Sequence, residues 1–334
     1  MRKLINDPEH FVEEMLDGIL GAHPDQLRVA ADDAHALVAA GAPRAGKVGI
    51  VTGGGSGHLP LFLGYVGEGL LDGVAVGDVF ASPSADQILQ VTRVVDGGSG
   101  VLYLYGNYGG DLMNFDLAAE LADAEGIAVR TVVGADDVAS APAGQEELRR
   151  GIAGIVLLYK VAGAAAACGA DLDEVVRTVE RAAAALRTFG VALSPMTLPS
   201  VGKPTFELPE GQMELGMGIH GEPGILRGEL ENADAVADRI LDAVLSDMPV
   251  TSGSRVVVLI NGLGSTPSEE LYVLHRRVRL RLTEMGIVIH RSYVGEFVTS
   301  LEMAGASLSI LVVDDELAAL IDAPARTPFF EQSN

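Results

Sequence analysis

Two histidines and an aspartate sit at the end of or within three short glycine-rich segments, and their side chains are those of acid/base and nucleophilic chemistry. The segments are Gly53-Gly54-Gly55-Ser56-Gly57-His58, Gly106-Asn107-Tyr108-Gly109-Gly110-Asp111 and Gly216-Met217-Gly218-Ile219-His220-Gly221-Glu222-Pro223-Gly224. Glycine lets backbone N–H groups turn toward a small ligand and lets that ligand approach the main chain closely. Imidazole and carboxylate groups at such turns predict acid/base or covalent chemistry on something small and oxygen-rich. Each segment alone also fits a tight strand-to-helix connection. A lone loop histidine is more often a structural hydrogen-bonder, and Asp111, ahead of Leu112-Met113-Asn114-Phe115, could cap a helix. What favours chemistry is the repetition of one arrangement in distant parts of the chain.

The elements that must position these groups are legible as alternating patterns. Short β-branched runs predict strands at 47–52, 73–76, 100–105 and 127–133, with helical patterns at 86–95 and 115–125 between them. Such alternation implies a largely parallel sheet with helices on both faces, where ligands sit beyond the carboxyl ends of strands. The segments ending in His58 and Asp111 both follow strands. Two long helical stretches, 151–169 and 172–189, lead into a second α/β segment with strands at 255–260, 287–290 and 308–313. The expectation is two α/β domains with a boundary near residue 190. Residues 1–190 form the first, with a largely parallel sheet flanked by helices and carrying His58 and Asp111. Residues 191–334 form the second, with a mixed sheet and carrying His220. A site using all three groups would then lie where the two halves meet or on one face shared by both.

Composition narrows the function classes. The chain has 334 residues, more than one domain usually holds, and 48% hydrophobic residues are enough for well-filled cores. Its 46 acidic and 23 basic residues give a net charge of −23, a field that repels nucleic acid and anionic membranes. Aromatic content is 5% with no Trp, which disfavours base stacking. The arginines at 276, 277, 279 and 281 fall on a helical pattern and are expected to form a solvated face. The single cysteine, Cys168, excludes an intrachain disulfide and a cysteine metal cluster, and its alanine-rich setting predicts a buried helical thiol. The first residues do not read as a signal peptide, and no stretch is long and apolar enough to span a bilayer. A cytoplasmic protein without membrane or nucleic-acid partners is expected.

Taken together, the motifs resemble the dihydroxyacetone kinase family, in particular its separate substrate-binding subunit. The similarity runs nearly end to end. It includes Lys3-Leu4-Ile5-Asn6-Asp7, the three glycine-rich segments, Ser82-Pro83-Ser84, Gly202-Lys203-Pro204 and Asn261-Gly262-Leu263-Gly264-Ser265-Thr266-Pro267. The Gly-Ile-His-Gly-Glu-Pro-Gly run is the most specific of these. The resemblance implies that His220 attacks a ketone carbon and holds the substrate as a hemiaminal, that Asp111 takes the proton of the hydroxyl to be phosphorylated, and that His58 donates a hydrogen bond and assists. It implies close substrate contacts from Gly54, Gly55, Ser56, Gly57 and Gly106. The implied substrate is a small ketose, dihydroxyacetone or the larger erythrulose. The chain has no Gly-x4-Gly-Lys-Ser/Thr loop, so ATP or ADP with Mg²⁺ is expected on a nucleotide-binding (DhaL-like) partner subunit, with no cofactor or metal on this chain. A homodimer is also implied.

Two departures from the family pattern bear on the substrate. Leu59 stands where the family commonly has Glu, and Gly106 where it commonly has Lys. Both leave the pocket less polar, and Gly106 also leaves space, which opens the alternative of a tetrulose kinase subunit; a dihydroxyacetone-sensing co-activator without catalysis is the other alternative. Other polar groups receive less weight. His275 and His290 lack partners at metal-ligand spacing, and His10, His23 and His35 read as surface helical residues. Asp136-Asp137 and Asp314-Asp315 each follow a strand and are expected to cap the next helix.

Overall fold

The computed structural model describes residues 3–333. The chain forms two compact units: one holds the residues up to Gly134, Leu157–Arg181 and those from Ala319 on, and the other holds Ala135–Val156 and Ala182–Ala318. This differs from a single boundary near residue 190, and the reason is packing that composition does not reveal. The Tyr159 hydroxyl hydrogen-bonds Thr52 at 2.8 Å, and Thr327 Oγ1 donates to the Gly64 carbonyl at 2.6 Å. The alanine-rich helix and the C-terminal tail therefore belong to the first unit.

In the first unit, six strands form one sheet: β1 (Leu27–Val29), β2 (Ala36–Ala39), β3 (Gly49–Ser56), β4 (Gly73–Val79), β5 (Val101–Gly106) and β6 (Val129–Gly134). Their order is β1-β2-β4-β3-β5-β6; the last four are parallel, and β1 and β2 pair antiparallel at one edge. Helices α1 (Phe11–Ala22), α2 (Ala85–Val95) and α3 (Gly109–Ala124) precede or connect these strands. Helix α2 opens with a capping box in which Ser84 and Gln87 satisfy each other's backbone N–H groups. Its apolar face joins Val51, Tyr103 and Phe115 in a closed core. His35 precedes β2 and contacts the Val76 carbonyl through Nδ1 at 2.7 Å, so it is a strand-edge residue and not a helical one. Helices α4 (Ile155–Ala167) and α5 (Leu172–Ala184) follow β6. Cys168 lies one residue past α4 and is exposed, contrary to the buried thiol expected, because burial along the alanine run ends at Ala166.

The second unit holds β7 (Leu186–Ala192), β8 (Gln212–Leu215), β9 (Leu226–Glu229), β10 (Arg255–Gly262), β11 (Val288–Gly295) and β12 (Gly305–Val312), in the order β11-β10-β12-β7-β8-β9. Only β10 and β11 are parallel, so the sheet is mixed as expected. The helical stretch read to residue 189 ends at Ala184. Thr188, Phe189 and Val191 suit a pleated strand and pair with β12, Phe189 opposite Leu308. Helices α6 (Ala233–Ser246) and α7 (Ser268–Glu284) cover this sheet with Ile240, Leu241, Leu271 and Val278. The arginines of α7 meet acids of α6: Arg276 pairs with Asp234, Arg277 with Asp238, and Arg281 with both Asp238 and Asp242. Asp314 caps helix α8 (Asp315–Asp322) as expected, accepting from Leu317 N at 2.8 Å. Among the described residues, no helix is long and apolar enough to cross a membrane.

Candidate active site

The first glycine-rich segment is mostly strand. Gly53 to Ser56 complete β3 in register with Ala75, Val76, Gly77 and Val79 of β4. A Cβ on Gly54 would stand 2.3 Å from the Phe62 ring, and one on Gly55 would stand 2.7 Å from Phe80 Cα. These glycines are therefore required by packing, whatever they offer a substrate. Only Gly57, at φ +98°, serves the turn that follows. That turn delivers His58 into a site where it is 1% exposed, with its ring stacked on Phe80 at 4.6 Å and edge-on to Phe62 at 6.4 Å. Phe62 and Phe80 both have positive φ, 64° and 60°. Such backbone costs about 1–3 kcal/mol per residue and concentrates at functional sites. Ser56 Oγ is also buried, with no hydrogen-bond partner among the described residues.

Asp111 follows the neighbouring strand. Strands β3 and β5 pair in parallel, so His58 and Asp111 both lie beyond the carboxyl ends of adjacent strands. Tyr108 is the N-cap of α3 and Asp111 is its third residue, so the simple capping alternative does not hold. Asp111 is 5% exposed within the first helical turn, where the helix dipole favours a carboxylate. Gly110 is fixed by a close approach, since a Cβ there would be 2.5 Å from Ser82 Oγ. Asn114 closes the same contact by donating to the Pro83 carbonyl at 2.7 Å. This gives the Ser82-Pro83-Ser84 run a structural use. The Tyr105 ring stacks on Phe115 at 4.0 Å, and burial followed by the charges of Asp116 and Asp111 pushes its hydroxyl well above the ordinary range. Gly106 ends β5 opposite Gly134 and is buried.

His220 belongs to the second unit, on the connection between β8 and β9. Gly216 and Gly221 turn this loop at φ +77° and +83°. The Glu222 carboxylate then returns onto His220, with Oε1 3.0 Å from ring Nδ1 and Oε2 accepting the His220 backbone N–H at 3.0 Å. Arg150 Nη1 lies 3.9 Å from the same carboxylate. Burial pushes Glu222 up, but its hydrogen bond and charge interaction with His220, its own backbone and Arg150 outweigh that and hold it at about 2. Arg150 is in turn fixed by Asp137, at 2.9 Å through Nε and 2.7 Å through Nη2, and by the Gly216 carbonyl at 3.1 Å.

Asp136 and Asp137 do not cap a helix. Asp136 accepts from the backbone of Ile152 and Gly154 at 2.9 Å each, which pins the loop that carries Arg150. Burial raises Asp137 to about 6 against the opposing pull of Arg150. A second brace runs from Asn261, which donates to Val298 O at 2.8 Å and accepts from Phe297 N and Val298 N at 2.8 and 2.9 Å. Two residues on, the Ser300 hydroxyl donates to the Ile219 carbonyl beside His220. Sequence reasoning did not single out Glu222, Arg150 or Ser300. The one available signal was a carboxylate two residues from a loop histidine.

A Dak1 domain model matches residues 17–329. The chain belongs to the dihydroxyacetone kinase family. This Dak1 chain is 47% identical over 331 residues to the dihydroxyacetone-binding subunit of PTS-dependent dihydroxyacetone kinase 2 from Listeria innocua serovar 6a, spanning 99% of each. It is also 47% identical over 332 residues to the D-erythrulose kinase of Mycolicibacterium smegmatis, covering 99% of itself but 57% of that protein. Among solved structures, the dihydroxyacetone kinase operon co-activator superposes with a TM-score of 0.89 at 32% identity, over 96% of this chain and 99% of that one. The fold is therefore the Dak1 fold, and the family is one of phosphotransferases.

Proposed function

We propose that this chain is the ketose-binding subunit of a dihydroxyacetone kinase. The observation that carries the reading is end-to-end identity of 47% to a dihydroxyacetone-binding subunit, and His58, Asp111 and His220 are the residues this reading assigns to the chemistry. In this reading a ring nitrogen of His220 adds its lone pair to the ketone carbon. The carbonyl π electrons move to oxygen, which takes up a proton while the ring releases one, leaving a neutral hemiaminal. Glycerol has the hydroxyls but no carbonyl and is refused. Fixing the ketone orients a terminal hydroxyl, whose proton passes to Asp111 as its oxygen bonds to the γ-phosphorus of ATP and the bond to the departing ADP breaks. His58 donates a hydrogen bond to the substrate, and the backbone at Gly54, Gly55, Ser56, Gly57 and Gly106 lines it.

The phosphoryl group comes from ATP, or from ADP recharged by a phosphotransferase relay, held with Mg²⁺ on a separate nucleotide-binding subunit. The chain itself works in the cytoplasm as a homodimer. Leu59 and Gly106, with the identity to an erythrulose kinase, favour erythrulose as a second substrate. The likeness to a co-activator favours a sensor as the remaining alternative.

The test is phosphorylation of dihydroxyacetone and erythrulose by this chain mixed with its cognate nucleotide-binding subunit, ATP and Mg²⁺. Turnover that requires both subunits and favours dihydroxyacetone is expected. A strong preference for erythrulose moves the assignment to a tetrulose kinase. Binding without turnover, beside a partner of proven activity, moves it to the sensor.

A further inference from the structure

We propose that Glu222 is a positioning residue for His220, fixing its ring as the Nδ1–H tautomer so that Nε2 carries the lone pair. The inference deepens the ketose-capture reading and rests on it for the use of that lone pair. An ionised carboxylate only accepts, so the contact at 3.0 Å requires the proton to be on Nδ1. The same carboxylate takes the His220 backbone N–H through its other oxygen. Ring and main chain of one residue are thus held by one group, which restrains the imidazole rotation as well as its tautomer.

The surroundings are shaped for this contact. A Cβ on Gly218 would stand 2.1 Å from Glu222 Oε2 and 2.5 Å from Arg150 Nη1, so that glycine clears space for both charged groups. Gly218 N also donates to the Glu222 carbonyl, and Gly221 N to the Gly218 carbonyl, each at 3.1 Å. The loop is folded so that residue 222 faces residue 220. Arg150 supplies a positive charge to the carboxylate's far oxygen while being held by Asp137. This ordering of carboxylate, Nδ1–H and a lone pair on Nε2 is what a neutral imidazole needs to act as a nucleophile. When Nε2 bonds to carbon the ring gains positive charge, and the adjacent carboxylate offsets it until the Nδ1 proton leaves.

Glutamine at 222 cannot reproduce both bonds. If its carbonyl oxygen takes Nδ1–H, its amide N–H₂ faces the backbone N–H. If it turns over, it donates to Nδ1 and drives the proton to Nε2. The experiment is ¹⁵N NMR of the His220 ring in the ligand-free protein, wild type and Glu222→Gln, followed by the rate of adduct formation with ¹³C-labelled dihydroxyacetone. In the neutral form of the ring, wild type should show a protonated Nδ1 and an unprotonated Nε2. The variant should shift that balance and capture ketose roughly 10–100-fold more slowly, the loss typical of removing a group that orients a histidine ligand.

A wild-type ring protonated on Nε2 overturns the proposal without any variant. A folded Glu222→Gln protein with unchanged ring shifts and unchanged capture also overturns it. The tautomer is measured without ketose, so a chain that has the Nδ1–H ring yet forms no adduct counts against the capture reading and leaves the positioning role standing.

Discussion

His58 and His220 are the same side chain held by opposite means. His58 is 1% exposed and gripped by the rings of Phe62 and Phe80, beside glycines whose missing side chains let those rings close in. The His220 side chain is 24% exposed and held by a carboxylate on one ring nitrogen and on its own backbone. Stacking restrains where a ring sits, whereas a carboxylate also decides which nitrogen carries the proton. The first device suits a group that hydrogen-bonds from a fixed place. The second suits one that must present a defined lone pair. Strain marks both regions: Phe62 and Phe80 flank one histidine, and Leu301, at φ +51°, follows the Ser300 that braces the other.

The comparison breaks most visibly if the acid/base group is not where it is placed. Asp111→Asn should lower phosphorylation roughly 10²–10⁴-fold, the range for a general base, while ketose capture on His220 persists. Steady-state turnover with the partner subunit, beside capture measured without it, checks both halves. Near-normal turnover would remove Asp111 from the chemistry.

The packing side is tested by glycine replacement. Gly54→Ala drives a Cβ into the Phe62 ring, and overpacking of this kind costs about 1–3 kcal/mol. Gly18→Ala, inside α1 with nothing within 4 Å of the new Cβ, should instead stabilise by about 0.5–1 kcal/mol. Urea unfolding of the two variants reads the difference. Equal effects would show that the β3 glycines are not held by their neighbours.

Much of this was legible in the sequence, and the misses have physical reasons. Alternating β-branched runs and amphipathic stretches located β3 to β6, β10 to β12 and most helices, because hydrophobic periodicity is a local property. Strands β1, β2, β8 and β9 went unread. They have three or four residues each, too few to show a period. The split into units was hidden because Tyr159 and Thr327 act through partners more than a hundred residues away. His58, Asp111 and His220 stood out because titratable groups beside glycine are conspicuous. Arg150 and Asp137 did not, since only folding brings them to Glu222. Asn261 was visible as part of a motif, but its role as a four-bond clamp on the 297–298 backbone and Ser307 arises only when folding brings those distant residues to it.

A pH series sharpens the electrostatic side. Glu222 is held at about 2, below its ordinary 4.5, so it adds stability that is full above 4.5 and lost as pH falls toward 2. Asp137, raised to about 6 from 3.8, works the other way: the folded state binds the extra proton, so this group favours folding as pH falls from 6 toward 4. Glu222→Gln should flatten the acid limb of unfolding free energy against pH and leave the limb near 6 in place. An unchanged acid limb would show that Glu222 does not carry it.

The smallest expected effect concerns the two departures beside the first unit's site. Gly106→Lys and Leu59→Glu should raise the ratio of dihydroxyacetone to erythrulose turnover by roughly 10-fold or less, as expected for altered fit to one extra carbon. Competition between the two ketoses at limiting enzyme gives that ratio directly, and a fall in it would contradict the role assigned to these positions.

Capture by His220 is the central claim, and it is open to one direct spectrum. Dihydroxyacetone labelled with ¹³C at C2 should, on binding protein with ¹⁵N-labelled histidine, lose its carbonyl resonance. A tetrahedral carbon coupled through one bond to Nε2 of His220 should appear, and it should be absent from His220→Ala. Saturable binding in which C2 remains a carbonyl or its hydrate, with no coupling to any histidine nitrogen, would contradict the account.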